Sequence, residues 1–144
     1  MIFKNILVPY DGTPSSQMAF NSALKLAKKH EAKIVIFTCI PDQAIFGFFK
    51  TKSNKLVLEQ EKHRAEKQIS HLKECATKIG VPLASKIITS FSLPASCIVR
   101  YADEHEVDLI VMSRSRLKWA EKMLYFSTVE NVFRHTKRSI LVVK

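Results

Sequence analysis

The residues best suited to chemistry lie in the last third of the chain, on either side of a basic loop. An apolar run over residues 109–112 leads into a polar loop that carries Arg114 and Arg116. An amphipathic segment then opens at Ser127, with Glu130 three residues later. This order is typical of a buried strand, a loop and a capped helix. Because the first N–H groups of such a helix have no partner within it, the junction predicts an anion-binding site.

The cysteines and histidines do not form a known catalytic or metal-binding motif. Cys39, Cys75 and Cys97 are far apart in the sequence and lie within apolar patterns. None of the five histidines belongs to a zinc motif, and no nucleophile elbow is present. We therefore predict no metal site and no catalytic residue, and we interpret the thiols as small core residues in a reducing compartment.

Length and composition favour one globular domain spanning residues 1–144. The chain is 47% hydrophobic and 25% charged, which is the balance of a folded protein rather than a disordered one. No apolar run reaches the length of a transmembrane segment and no signal peptide is visible, so we expect a cytoplasmic protein. The net charge of +10 favours anionic partners without choosing among nucleotides, nucleic acid and acidic proteins.

Strand-like and helix-like segments alternate along the chain. Five short apolar runs have the character of strands: 6–9, 34–40, 83–89, 109–112 and 139–143. Four segments with apolar residues at three- and four-residue spacing indicate helices, and they begin at Thr13 or Ser15, before Ala65, at Pro94 and at Ser127. This alternation predicts an α/β fold whose mainly parallel sheet has helices on both faces.

The parallel sheet implies where a ligand would bind. In such sheets ligands gather at the carboxyl ends of the strands, where the winding reverses. In this chain that edge is formed by the loops after Pro9, Ile40 and Met112. The run over 83–89 alternates more than the others, which predicts an edge strand exposed on one side.

Three segments resemble the universal stress protein family, and the likeness covers the whole chain. They are Lys4 to Thr13, with its Asp-Gly-Thr turn, Ala102 to Met112, and residues 127–143. The resemblance implies a three-layer sandwich of the adenine-nucleotide alpha-hydrolase-like type, with a five-stranded parallel sheet in the order 3-2-1-4-5. It also implies a homodimer that pairs the last strand, Ser139 to Val143.

Many members of that family bind ATP through a G-x2-G-x9-G-(S/T) pattern after the fourth strand. Glycines there let the main chain approach the phosphates, and the closing Ser or Thr caps the next helix. In this chain the three glycine positions hold Ser113, Arg116 and Phe126, and only Ser127 matches. Because each replacement adds a side chain where the phosphates need room, we predict that ATP is not bound in the family's usual way.

Carried over residue by residue, the resemblance implies a nucleotide-binding set at the carboxyl edge. The set is Pro9, Asp11, Ile40, Met112, Ser113, Arg114, Arg116, Ser127 and Thr128. Arg114 and Arg116 either supply charge to a phosphate or form a solvated basic loop. Asp11 either contacts an adenosine or ties the first turn, and Ile40 either lies against an adenine or ends a strand in the core.

Two stretches rich in large apolar residues are candidates for other contacts. Ile45 to Phe49 is interpreted as a lid or a protein interface, with a membrane surface as a further alternative. Trp119 to Phe126 lies where the family's phosphates would bind, and it is interpreted as a plug in the lost pocket or as a protein contact. Neither has the interleaved basic and aromatic pattern of a single-strand binder, so nucleic acid is disfavoured.

These observations lead to two main functional hypotheses. The first is a stress-response or regulatory binding module without catalysis and without a cofactor. The second is an adenine-nucleotide-binding protein that holds ATP or AMP with arginine side chains in place of the lost glycines. A third hypothesis, driven by the net charge alone, is binding to nucleic acid or an acidic membrane.

Overall fold

The computed structural model of the chain describes residues 2–42, 52–114 and 128–144, with residues 52–54 described in the backbone only. Within these ranges five strands alternate with four helices. The strands are β1 (Asn5–Pro9), β2 (Lys33–Pro41), β3 (Leu83–Ser90), β4 (Leu109–Ser113) and β5 (Ser139–Val143). The helices are α1 (Pro14–His30), α2 (Lys52–Lys78), α3 (Pro94–Glu104) and α4, which is described over residues 128–135.

All five strands are parallel, and their order is β3-β2-β1-β4-β5. The predicted α/β fold and strand order are therefore confirmed. Leu7 at the centre of β1 lies opposite Val35 of β2 and Ile110 of β4. The chain winds outward from β1 in one direction to β3 and then returns to β4 on the other side. The carboxyl ends of β1 and β4 thus border the point where the winding reverses.

Alternate residues of the central strands enter two separate cores. Ile6 and Val8 of β1 pack in a cluster with α1 and α2, whereas Leu7 packs in a cluster with α3 and α4. All three side chains are fully buried. Successive side chains of a strand point to opposite faces, so these two cores give three layers, with the sheet between two pairs of helices.

The two outer strands are much more exposed than β1, β2 and β4. In β3, residues 84–86 are all exposed, and in β5 residues 139 and 141 are exposed. The edge-strand prediction for residues 83–89 is confirmed, and the last strand forms the opposite edge. No helix within the described ranges has an apolar stretch long enough to cross a membrane.

The helix boundaries differ from the sequence prediction mainly at the start of α2. Thr13 is the N-cap of α1, which decides between the two predicted starts. α2 begins at Lys52, whereas the predicted apolar stripe of this helix starts only at Ala65. The first turns bury little, since Leu56 is 60% exposed and Val57 is 40% exposed. Burial periodicity therefore could not reveal them, and residues such as Lys, Leu, Glu and Gln form helix there by local propensity.

Candidate functional site

Four of the predicted site residues lie together at the carboxyl edge of the sheet. Pro9 is the last residue of β1, Ile40 is the penultimate residue of β2, and Met112 and Ser113 end β4. Ile40 and Met112 are both buried, so each side chain also belongs to the core. The three strands are neighbours in the sheet. The structure thus brings together the three strand ends from which the predicted loops leave.

A regular hydrogen-bond pattern extends β1 past its last residue. The N–H of Tyr10 donates to the Phe37 carbonyl at 2.9 Å, and Thr38 Oγ1 donates to the Tyr10 carbonyl at 2.8 Å. The Tyr10 hydroxyl donates to Gln17 Oε1 at 3.0 Å. Burial, with the nearby Asp11 charge, raises the pKa of Tyr10. The phenol therefore remains a protonated donor at neutral pH.

The turn between β1 and α1 satisfies its polar groups internally. Asp11 Oδ1 accepts from the Thr13 N–H at 3.0 Å and from Thr13 Oγ1 at 2.6 Å. Thr13 Oγ1 in turn accepts from the Ser16 N–H at 3.2 Å, and Ser16 Oγ donates to the Thr13 carbonyl at 3.0 Å. Of the two interpretations of Asp11, tying the turn is the one that these contacts support. An adenosine contact stays a prediction.

A residue that sequence reasoning did not identify, Gln68 of α2, covers this turn. Gly12 has φ +83°, and a Cβ added there would lie 2.6 Å from Gln68 Nε2 and 2.8 Å from Oε1. Gly12 is thus required for its backbone conformation, and its missing side chain admits the amide of α2. No signal in the sequence could have found Gln68, because a Gln on an amphipathic helix resembles any surface residue.

The exit from β4 is held by different contacts. The N–H of Arg114 donates to the Val143 carbonyl of β5 at 3.1 Å. Its guanidinium Nη2 lies 3.6 Å from Glu130 Oε1 on α4, and both side chains are partly exposed. Ser113 Oγ is buried and has no hydrogen-bond partner among the described residues. This junction therefore joins β4 to β5 and α4, and the described residues offer its one buried hydroxyl no partner.

The remaining predicted site residues are only partly covered by the structure. Thr128 is the first described residue of α4. Arg116, Ser127 and the stretches Ile45 to Phe49 and Trp119 to Phe126 lie outside the described residues. Their predicted roles, including the capping box that pairs Ser127 with Glu130, stay predictions.

The cysteines lie at two separate places. Cys39 of β2 packs against the core cluster that contains Cys97 of α3, and burial, followed by interaction with that thiol, raises the pKa of Cys39 to about 12. A thiol that holds its proton so strongly is a poor nucleophile. Cys75 lies 4.0 Å from His71 Nε2, a spacing of four residues on α2 that the sequence analysis overlooked. No group of three potential metal ligands occurs among the described residues.

Comparison with known proteins identifies relatives across the full length of the chain. The sequence model of the universal stress protein family matches residues 2–144. A curated protein of Staphylococcus aureus (strain USA300), named as a universal stress protein, is 33% identical over 143 residues, which cover 99% of this chain and 84% of that protein.

Solved structures agree with the observed fold. Universal stress protein UspA from Lactobacillus plantarum superposes with a TM-score of 0.86 at 23% identity and covers 100% of this chain and 99% of its own. A universal stress protein solved in complex with cAMP has a TM-score of 0.75 at 23% identity, covering 100% of this chain and 99% of its own. At these identities the structural likeness shows the fold.

Proposed function

Because this chain belongs to the universal stress protein family, we propose that it is a regulatory binding module of the stress response that does not hold ATP in the family's usual way. No catalytic step is part of this proposal. A cytoplasmic location, typical of the family, is part of it.

The observation that carries the proposal is the state of Ser113. This residue occupies the first glycine position of the family's ATP pattern, yet it is still paired with Val143 inside β4. Its Oγ is buried. A phosphate contact at this position requires close approach to the main chain with little side-chain bulk, and Ser113 adds a side chain where the pattern has a glycine. The side chains that replace the other two glycines would add further bulk.

Nearby contacts support the same conclusion. One carboxylate oxygen of Asp11 is already hydrogen-bonded to Thr13, so a ribose at that oxygen would compete with the turn. Arg114, the described candidate for replacing a glycine contact, lies beside the carboxylate of Glu130. An incoming phosphate would have to displace that carboxylate or share the guanidinium with it.

Thermal unfolding with ATP, AMP and cyclic AMP tests the proposal. A ligand at a hundredfold excess over its Kd adds about 2.7 kcal/mol of stability. For a chain of this size that corresponds to a Tm increase of roughly 5–10 °C. We expect no increase with any of the three at millimolar concentration, and no nucleotide in an acid extract of the purified protein. A clear increase with ATP, or ATP in the extract, would contradict the proposal.

A second candidate function is adenine-nucleotide binding through side chains. Two observations favour nucleotide binding. The buried Oγ of Ser113 has no partner among the described residues, and one structural relative was solved in complex with cAMP. In this alternative Arg114 and Arg116 bind phosphate oxygens in place of main-chain N–H groups. It predicts a Tm increase with AMP or ATP that Arg114→Ala abolishes. Lys86→Ala, which removes an exposed positive charge from β3, should preserve that increase.

We further propose a homodimer that pairs β5 with its copy in a second chain. β5 is a sheet edge composed of Ser139, Ile140, Leu141, Val142 and Val143, and Leu141 is 38% exposed. On the neighbouring helix α4, Phe133 is 61% exposed. An exposed apolar edge strand offers unpaired backbone groups and side chains to a partner.

Sedimentation velocity tests the dimer. We expect a species of twice the 16.4 kDa chain mass, and we expect Leu141→Lys to convert it to the monomer. The matched control is Leu93→Lys, which adds the same charge at a residue that is 61% exposed beside α3. A monomeric wild-type protein, or equal dissociation by both variants, would argue against pairing through β5.

A further inference from the structure

A groove far from the carboxyl edge lies between α1 and the end of α2. It has a volume of about 610 Å³ and is lined by Asn21, Leu24, Lys25, Lys28 and Ile79. We call it the basic groove. Its four α1 residues have the spacing i, i+3, i+4 and i+7, so they form one continuous stripe along the helix. The core contact of α1 uses a different stripe, which includes Phe20, Ala23 and Ala27.

The end of α2 holds the opposite wall of the basic groove rigidly. The Gly80 N–H donates to the Thr77 carbonyl at 3.1 Å and the Val81 N–H donates to the Ala76 carbonyl at 2.9 Å. With Gly80 at φ +75°, these two bonds form a Schellman motif. Val81 is buried by this turn, whereas Ile79 stays 39% exposed. Ile79 is thus an apolar side chain presented on a fixed backbone.

The charged residues that line the basic groove, Lys25 and Lys28, are both positive. Lys28 Nζ donates to the Ile79 carbonyl at 2.8 Å, which joins the two walls. Lys25 is exposed and makes no hydrogen bond or ion pair with any residue that the structure describes. Among the residues that the structure describes, no acidic side chain lines the basic groove. With a net charge of +10, the surrounding field also attracts anions.

We propose that the basic groove binds an acidic peptide segment of another protein. One large apolar side chain of that segment lies between Leu24 and Ile79, and its carboxylates pair with Lys25 and with the remaining donors of Lys28. The mixed lining favours a peptide over nucleic acid. The α1 stripe is only about 10 Å long, and apolar side chains in its path do not complement a row of phosphates.

Fluorescence anisotropy with a labelled probe peptide tests this proposal. The probe is a short peptide of Asp and Glu with one central Leu, added to the full chain at low salt. We expect Lys25→Glu to weaken binding at least about fivefold. The matched control is Lys86→Glu, which makes the same charge change at an exposed position on β3. It should change the affinity less than about twofold, because distant exposed charges are screened.

The apolar contact has its own pair of variants. We expect Ile79→Ser to weaken the probe about threefold or more, and Leu56→Ser, at a residue that is 60% exposed on α2, to leave it unchanged. When the central Leu of the probe is replaced by Ser, the wild-type chain and Ile79→Ser should bind the probe with the same affinity. Thermal unfolding of each variant is the control: a Tm close to that of the wild-type chain shows that the variant is folded.

Three results would overturn the proposal. The first is no binding of the probe by the wild-type chain at millimolar concentration. The second is an equal loss in Lys25→Glu and Lys86→Glu, which would show attraction by net charge alone. The third is tighter binding of duplex DNA with the same dependence on Lys25, which would assign the surface to nucleic acid. None of these measurements involves the carboxyl edge, so their outcome is independent of the proposals made above.

Discussion

The turn after β1 and the exit from β4 lie side by side at one edge of the sheet but are held in different ways. The first satisfies its polar groups within six residues, through Asp11, Thr13 and Ser16. The second depends on distant elements, since Arg114 contacts Val143 of β5 and Glu130 of α4. It also leaves Ser113 Oγ buried without a partner among the described residues.

This difference separates the half of the edge that local hydrogen bonds fix from the half in which the family's ATP pattern lacks its glycines. The hydrogen bonds among Asp11, Thr13 and Ser16 form within the turn itself, so they hold its shape without a ligand. A buried hydroxyl without a hydrogen bond loses its hydration and lowers the stability of the fold. The family's ATP pattern has lost its glycines at the second junction only. The asymmetry between the two junctions is therefore what the proposed loss of usual ATP binding predicts.

The largest effect should come from Gly12→Ala in the first turn. Alanine at φ +83° is strained, and its Cβ would also push aside Gln68. We expect the free energy of unfolding to fall by about 1–2 kcal/mol, measured by urea denaturation.

Two further variants separate the two causes. Gly12→Asn should lose less from the backbone, because Asn tolerates positive φ. Gly80→Ala has a similar φ of +75° but open space around its new Cβ, whose nearest neighbour is Lys28 Nζ at 3.8 Å. If Gly80→Ala lowers the free energy of unfolding as much as Gly12→Ala does, then the contact with Gln68 adds nothing to the cost of a side chain at Gly12.

A matched pair of Ser→Ala substitutions should change the free energy of unfolding differently at the two junctions. Ser16→Ala removes a hydroxyl that donates to the Thr13 carbonyl, so we expect a loss of about 1 kcal/mol. Ser113→Ala removes a buried hydroxyl with no described partner, so stability should stay unchanged or rise by up to about 1 kcal/mol. Urea denaturation measures both. A loss at Ser113 as large as that at Ser16 would show that Ser113 has a partner in the folded chain.

The smallest effect concerns the ion pair at the second junction. Arg114 and Glu130 are 45% and 38% exposed, so solvent screens their attraction. A double-mutant cycle of Arg114→Ala and Glu130→Ala should give a coupling energy below about 0.5 kcal/mol. High salt should reduce it further. A coupling energy above about 1 kcal/mol would mean that this ion pair stabilises the exit from β4 as much as a hydrogen bond stabilises the turn after β1.

Much of this fold was predictable because residue types and their spacing over a few positions determine the strands and helices. The run over 34–40 is apolar without alternation, and the structure buries β2 between two layers of helices. Pro94 and Gly80 mark a helix start and a helix end through their own backbone preferences. The start of α2 was not predictable in this way, because its first turns bury little and leave no apolar period.

The candidate site was predictable in position but not in its contacts. Strand order and strand ends brought Pro9, Ile40 and Met112 to one edge as expected. The sequence left two roles open for Asp11, a contact to adenosine or a tie within the turn. The hydrogen bonds in the structure favour the tie. Gln68 and the stripe of α1 that lines the basic groove have no sequence signature, since polar residues on an exposed helix face are common.

By itself, the sequence determined the alternation of strands and helices, the two-faced burial of the central strands and the loss of three glycines. These properties depend on residue type and on spacing over a few positions, where backbone preference and burial act directly. Only the tertiary structure decided that Gln68 covers Gly12, that Ser113 Oγ is buried with no partner among the described residues, and that Ile79 and Lys25 line one groove. Such contacts join residues distant in sequence, and the packing of whole elements against one another sets their distances.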